Sequence, residues 1–538
     1  MAGLAAAFGS GAMTNSVEEI ERADCIFIIG SNTSVAHPLV ATRVYRAKAR
    51  GAKVVVADPR KIPIVLQADL HLQQNLGTDV ALINGLMHII LKKGWHDRGF
   101  IDERTENFNA AKAVIEGYTP EKVAEITGIT VADLERAAEY YGTAERATIL
   151  YTMGITQHTT GVDNVKSLAN LAMLTGNMGR ESTGVNPLRG QNNVQGACDL
   201  GGLPNVYPGY QPVTDGSVRQ KFQEAWGAQL SDKVGLTVTE MLPAILDGKI
   251  KALVVLGENP MVSDPDSHHV EKALKAVDFL VVIDIFRTPT AELADVVLPG
   301  ASFAEKEGTF TNTERRVQMV RKAIDPPGDA KPDWQIIQDL SRRFGYPMDH
   351  DSPRSIQEEI ARLTPSYGGI TYDRLQGEGL QWPCPDGEHP GTKFLHHGRF
   401  ARGKGLFHAI EHKAPAEGVD EEYPFQLTTG RLYVHYHTGT MTRNSPSLDR
   451  EIKECFLEMN PRDAADLGIG DGEMVAIASR RGSVTTRVKV TDAVAEKVVF
   501  MPFHFLESRA NVLTNPAFDP IAKIPEYKVC SVRIEKLG

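Results

Sequence analysis

Two continuous apolar runs near the start of the chain constrain its fold most: Asp24-Cys-Ile-Phe-Ile-Ile-Gly30 and Lys53-Val-Val-Val-Ala-Asp-Pro-Arg60. Neither alternates apolar with polar residues, so neither suits a sheet with one solvated face. Such runs read as strands buried on both sides of a parallel sheet. A helical pattern over Pro38–Arg50 joins them into a β-α-β unit. Ligands of such sheets lie beyond the carboxyl ends of the strands, which puts Gly30, Asn32, Asp58, Pro59 and Arg60 on the binding edge. No Gly-x-Gly-x-x-Gly fingerprint is present, so a nicotinamide site is disfavoured and another nucleotide is preferred.

The pattern continues. Leu76-Gly-Thr-Asp79 introduces a helix to about Lys93, with Thr78 or Asp79 as its N-cap, and a helix over Val131–Tyr141 precedes a strand at Ala147–Tyr151. That strand again has a polar exit, Thr152 to His158, and a helix over Val165–Thr175 follows. A second α/β unit carries a helix at Thr237–Leu246, a strand at Ala252–Leu256, a helix at His269–Val277 and a strand at Phe279–Asp284. Its exits offer Gly257, Glu258, Asn259, Asp284 and Thr288. Two units with polar strand exits suit an extended cofactor with a nucleotide at each end.

Between the two units lies Gly184-Val-Asn-Pro-Leu-Arg-Gly-Gln-Asn-Asn-Val-Gln-Gly-Ala-Cys-Asp199, with three Asn, two Gln, three Gly and one Arg. It lacks apolar periodicity and reads as a polar loop able to grip a flat hydrogen-bonding ligand or an anion. From Gly308 to Asp420 the chain reads as irregular connecting sequence. Short runs at Tyr423–Thr429, Met474–Arg480, Val484–Val490 and Val498–Met501 then suggest a small β-barrel. The expected fold is α/β: two Rossmann-like, doubly wound α/β domains and a C-terminal β-barrel. The expected segments are residues 1–190, 191–345, 346–420 and 421–538.

A net charge of -10 argues against a nucleic-acid surface, and no apolar run is long enough to span a membrane. Met1-Ala-Gly-Leu-Ala-Ala-Ala-Phe-Gly lacks the basic start of a signal peptide, and five scattered cysteines without a Cys-x-x-Cys point to a reducing, cytoplasmic setting.

Several stretches together resemble the molybdopterin-dependent oxidoreductases, and among them the catalytic subunits of formate dehydrogenases. They are Arg189-Gly-Gln-Asn-Asn-Val-Gln-Gly-Ala-Cys-Asp199, Gly257-Glu-Asn-Pro260, Ala294-Asp-Val-Val-Leu-Pro299, Glu307-Gly-Thr-Phe-Thr-Asn312 and Pro525-Glu-Tyr-Lys528. The resemblance covers almost the whole chain. It implies a bis-molybdopterin guanine dinucleotide cofactor carrying Mo or W. One nucleotide would contact Gly30, Asn32, Asp58, Pro59, Arg60, Gly77 and Asp79, with Gly154, Gln157 and Gln191 nearer the pterin. The other would meet Gly257, Glu258, Asn259, Asp284, Thr288 and Asp333. The barrel would add Thr429, Arg431, His435, Tyr436, His437, Asn511, Tyr527 and Lys528.

Arg189 would grip formate, because a guanidinium holds a carboxylate through paired, directional hydrogen bonds. The implied reaction is formate to CO2, with electrons passed to iron-sulfur, flavin or hydrogenase-type partner subunits. The resemblance also implies a [4Fe-4S] domain and a selenocysteine or cysteine metal ligand followed by His, all upstream of Met1. No metal ligand is therefore expected in this chain, and by itself it is expected to lack formate oxidation. A non-catalytic scaffold subunit of an electron-transfer complex and another molybdopterin reductase are the alternatives.

Overall fold

The computed structural model describes residues 1–537. They form two compact units, one from Met1–Leu188, Val262–His268 and Phe394 onward, the other from Arg189–Met261 and His269–Lys393. Neither is contiguous in sequence, so each gathers pieces of the segments read in chain order.

The first unit holds a five-stranded parallel sheet in the order Leu70–Leu72, Lys53–Ala57, Cys25–Ile29, Ala147–Tyr151, Gly184–Pro187. Cys25–Ile29 and Ala147–Tyr151 are buried at every residue, as their unbroken apolar runs require. The helices Pro38–Ala49 and Asp79–Lys93 contribute to separate apolar clusters, one containing Val40, Val44, Ile26 and Ile28, the other Leu82, Leu86, Phe27 and Ile29. Alternate residues of one strand thus enter different cores, so the sheet is covered on both faces. The same unit contains a closed barrel in the order Phe425–Gly430, Val498–Pro502, Phe456–Met459, Ser483–Val490, Met474–Ala478, Cys530–Lys536. Two of its strands, Phe456–Met459 and Cys530–Lys536, were not anticipated.

The second unit contains a three-stranded parallel sheet, Val296–Pro299, Phe279–Asp284, Ala252–Leu256. It also has an antiparallel sheet of Gly308–Thr311, Arg316–Val320 and Leu380–Gln381.

Two expectations are corrected. The stretch from Gly184 to Asp199 is not wholly loop: Gly184–Pro187 is the edge strand of the first sheet, and Val194–Asp199 is a short helix. Periodicity conceals both because their buried positions mix polar residues with Gly, Val185 and Cys198. Asn186 is fully buried and donates to Thr148 Oγ1 at 2.7 Å, and Gln195 and Asp199 face inward from the helix. The region from Gly308 to Asp420 is likewise not simply irregular, since it includes helices Asp333–Arg343 and Pro353–Leu363 and the antiparallel strands. Their inward faces include Gln338, Ser341 and Gln357, which dilutes the apolar signal.

Candidate functional site

In the first unit, the polar strand exits are drawn together by backbone. Gly30 adopts φ +55° after Cys25–Ile29, and its carbonyl accepts from Gly154 N at 3.0 Å and Thr152 Oγ1 at 2.8 Å. A Cβ added at Gly154 would lie 2.5 Å from Gly30 Cα, so neither exit tolerates a side chain there. Beside them, the buried Asn32 Oδ1 and Ser34 Oγ have no hydrogen-bond partner among the described residues.

Asp58 closes the exit of Lys53–Ala57. It accepts from Arg60 N at 2.9 Å, and burial pushes its carboxyl up to about 6, with Arg60 and Lys528 opposing. Pro59 O accepts from Gln73 at 3.0 Å. Arg60 donates through Nε and Nη2 to Glu458 Oε2 at 3.1 and 2.7 Å, and its guanidinium lies 3.4 Å over the Phe500 ring. Lys528 Nζ donates to Thr429 O at 2.6 Å; burial, then Arg431, pull the ammonium down to about 7. Burial also lowers Arg431, and no ion pair to its guanidinium is present among the described residues. Burial, then Arg431, depress His37 to about 4, which leaves its imidazole neutral.

Arg60, Arg431 and Lys528 thus outnumber the carboxylates that face them. Asp58 meets Arg60 and Lys528, and Glu458 is occupied by Arg60. A buried surplus of cations is costly unless an anion joins it, so the cluster suits a phosphate or diphosphate.

The other proposed contacts of this unit divide into two kinds. Asp79, raised chiefly by burial, accepts from Gln74 at 3.3 Å and lies 3.9 Å from His158 Nε2, while Gly77 precedes it at φ +74°. Thr429 Oγ1 donates to Tyr527 O at 2.8 Å. Gln157 ends the short helix Met153–Thr156, its backbone N–H donating to Met153 O at 3.0 Å. In contrast, His435 is held by Ile452 O at 2.7 Å and Thr442 at 3.3 Å, Asn511 donates to Val262 O and Ser263 O at 2.8 and 2.9 Å, and Tyr527 donates to Ser263 O at 2.8 Å. These three have roles within the chain. Tyr436 is part-exposed, and His437 has φ +50° with its carbonyl accepting from His504.

In the second unit, Gly257 leaves its strand at φ +60° and Glu258 accepts from Asn259 N at 3.0 Å. Asn259 accepts from Thr290 at 2.8 Å, and Asp284 accepts from the amides of Ile285 and Phe286 at 2.7 and 3.1 Å. Burial raises Asp284, and those two amides oppose it. Thr288 caps helix Pro289–Glu292 through Ala291 N at 3.1 Å, and Asp333 pairs with Lys306.

Arg189 also belongs to this unit. Its backbone N donates to Thr313 Oγ1 at 3.0 Å and its Nε to Gln195 Oε1 at 3.2 Å, its guanidinium also acts on the Cys198 thiol, and the buried Nη2 has no hydrogen-bond partner among the described residues. The Gln191 carbonyl accepts from Val194 N at 3.4 Å. Gln195 passes to Asp199, a carboxylate with only 1% exposure that is raised by burial and opposed by four donors.

Sequence reasoning missed Glu458, Phe500, Gln195 and Asp199 as participants. Glu458 carries a signal in retrospect, being the lone acid in the apolar strand Phe456-Leu-Glu-Met459. Among the described residues, no group of three His, Cys, Asp or Glu is placed to hold a metal, and no helix is long and apolar enough to cross a membrane.

The chain matches two family models: "Molybdopterin oxidoreductase" over residues 3–343, and "Molydopterin dinucleotide binding domain" over residues 425–531. It is 54% identical to the F420-dependent formate dehydrogenase subunit alpha of Methanocaldococcus jannaschii, across 99% of this chain and 80% of that protein. It is 41% identical to formate dehydrogenase H of Escherichia coli, across 100% of this chain and 76% of that one. Among solved structures, acetylene hydratase from Pelobacter acetylenicus matches with a TM-score of 0.77 at 20% identity, covering 100% of this chain and 80% of that chain, a likeness of fold.

Proposed function

The chain belongs to the molybdopterin oxidoreductase family, and from that premise we propose that it forms the cofactor-binding and substrate-binding body of a formate dehydrogenase. Relatives at 54% and 41% identity that carry that name support the choice of substrate. The observation that carries it is Arg189: Gln195 holds its Nε edge, and its buried Nη2 has no hydrogen-bond partner among the described residues. A guanidinium so placed can hold a one-carbon carboxylate and fix the direction of its C–H bond.

The residues fit a bis-pterin guanine dinucleotide. In the first unit, Arg60, Arg431 and Lys528 would meet phosphates, while Asn32 and Asp58 offer acceptors to guanine or ribose. In the second, Glu258, Asn259 and Asp284 offer acceptors, and Gly257 brings backbone close to a ligand. When bound, a pterin-held molybdenum or tungsten centre supplies two-electron oxidation. Formate yields CO2, one proton and two electrons, and an electron-transfer subunit of iron-sulfur, flavin or hydrogenase type receives the electrons. The side chains described here bind and orient.

The test is Arg189→Lys in the cofactor-loaded enzyme. A lysine keeps the charge and loses the fork, so the formate KM should rise about tenfold or more and kcat should fall. Unchanged values of both would remove Arg189 from the reading.

A further inference from the structure

Asp199 is a buried carboxylate with no cation beside it in direct hydrogen bond. It accepts from Gln195 Nε2 at 2.7 Å and from Tyr210 OH, Tyr367 OH and Trp382 Nε1, each at 2.6 Å. Four neutral donors from separate stretches of the second unit therefore fix its position. Because a carboxylate cannot donate, the edge of Gln195 that touches it must be the amide NH2. Gln195 Oε1 then faces the other way and accepts from Arg189 Nε at 3.2 Å. The orientation of the amide is set by chemistry, as is the edge of the guanidinium that it occupies.

We propose that Gln195 and Asp199 are positioning residues for Arg189, a carboxylate–amide relay that locks the Nε edge inward and leaves Nη2 to take the substrate carboxylate. The proposal rests on the reading of Arg189 as the carboxylate grip. The relay accounts for the use of Gln where a direct acid would bind more strongly. An Asp or Glu on Arg189 would neutralise it and compete with the incoming anion for the same donors. The amide orients the guanidinium and leaves its charge in place.

Local structure supports the arrangement. Gln195 and Asp199 lie four apart on the same inward face of helix Val194–Asp199. Gly196 sits between them, where an added Cβ would come within 2.3 Å of Asn193 Oδ1, and that oxygen accepts from Thr311 N at 2.8 Å. Thr311 Oγ1 in turn meets Tyr367 OH at 3.1 Å, which ties the helix start to one of the donors of Asp199.

The test is protection of Arg189 by formate against an arginine-directed dicarbonyl, phenylglyoxal, read on the cofactor-loaded protein by peptide mass spectrometry. Formate should protect Arg189 in the unaltered protein. In Gln195→Met, which keeps volume and removes the acceptor, the formate concentration giving half protection should rise about tenfold, the equivalent of one lost hydrogen bond. Equal protection in both overturns the relay and leaves the grip standing; no protection in the unaltered protein overturns the grip itself. Gln195→Glu gives a second measurement that does not depend on how the methionine variant folds. The introduced carboxyl and Asp199, two acids held together in a buried site, can share one proton in mildly acid solution, which restores an acceptor for Arg189 and a donor to Asp199, and lose it in mildly alkaline solution. Protection in this variant should weaken about tenfold across that range while that of the unaltered protein holds steady. A variant whose protection is as steady as that of the unaltered protein overturns the relay, since a purely structural role for Gln195 gives Arg189 no such pH dependence.

Discussion

The cation cluster of the first unit makes a quantitative demand on ligand binding. Burial, then Arg431, pull Lys528 down to about 7, with Asp58 raising it and Arg60 lowering it. In the free chain at pH 8 about nine-tenths of such an amine is neutral. A diphosphate placed beside it favours the ammonium, so binding must take up a proton. The expected uptake approaches about 0.9 proton at pH 8 and about 0.5 at pH 7. Above about pH 7 the affinity should fall by up to tenfold per pH unit, until the raised pKa of the complex is passed.

The sign follows from the direction of the shift. A lysine whose folded pKa lies below its unfolded value stabilises the folded chain above the unfolded pKa, and that contribution is lost as pH falls through about 7. Asp58 is shifted the other way: its contribution is present below its unfolded pKa and is lost as pH rises through about 6. At pH 8 the Asp58 transition and the terminal phosphate of a nucleotide are both complete, so proton uptake there belongs to Lys528. Calorimetric titration of the cofactor-free chain with GDP, in two buffers of different ionisation enthalpy, counts the protons. Lys528→Met should abolish the uptake at pH 8 and Asp58→Asn should not. If wild-type uptake at pH 8 is below about 0.2, or if Lys528→Met retains it, the placement of a phosphate at Lys528 is wrong.

Two further outcomes test the packing around these sites. Arg60→Ala strands the Glu458 carboxylate, whose side chain is 6% exposed and whose other partner, Lys489, is 3.4 Å away and 55% exposed. The local opening free energy of the barrel strands, read by native-state hydrogen exchange, should fall by about 3–5 kcal/mol; a cycle with Glu458→Gln should show coupling above about 1.5 kcal/mol, and additive losses would refute the pairing. Gly196→Ala should push Asn193 off Thr311 N, with a loss of about 1–3 kcal/mol in thermal stability measurements and weaker protection of Arg189 by formate; wild-type behaviour in both would refute the close approach.

The sequence was most legible where one physical rule acts alone. Cys25–Ile29, Lys53–Ala57, Ala147–Tyr151, Ala252–Leu256 and Phe279–Asp284 all appear as strands of parallel sheets, because burial on both faces leaves an unbroken apolar run. Asp58, Arg60 and Asp284 stand at the polar carboxyl ends of these strands, where the run of apolar residues stops. Gly184–Pro187 was hidden because its neighbour Ala147–Tyr151 supplies the pairing, and its buried Asn186 is satisfied by Thr148 and Thr14. The relay behind Arg189 was hidden for a different reason. Asp199 meets Tyr367 and Trp382 across 168 and 183 residues, separations that no local pattern reports.

The two buried acid sites also differ in how their charge is met, and the difference bears on function. Asp199 is satisfied four times by groups of the chain itself, so nothing further is needed to complete it; its value lies in rigidity passed through Gln195. The Asp58–Arg60–Arg431–Lys528 cluster is the reverse, with more cations than the chain pairs and a lysine pulled down to about 7. Folding alone does not favour such a surplus, because each unpaired buried cation costs free energy that an apolar residue would not. A bound anion turns that cost into affinity. The same reasoning applies on a smaller scale to Arg189, whose Nε is held and whose buried Nη2 is not. Where the chain completes its own buried charge it gains a rigid support, and where it leaves the charge incomplete an anion would complete it.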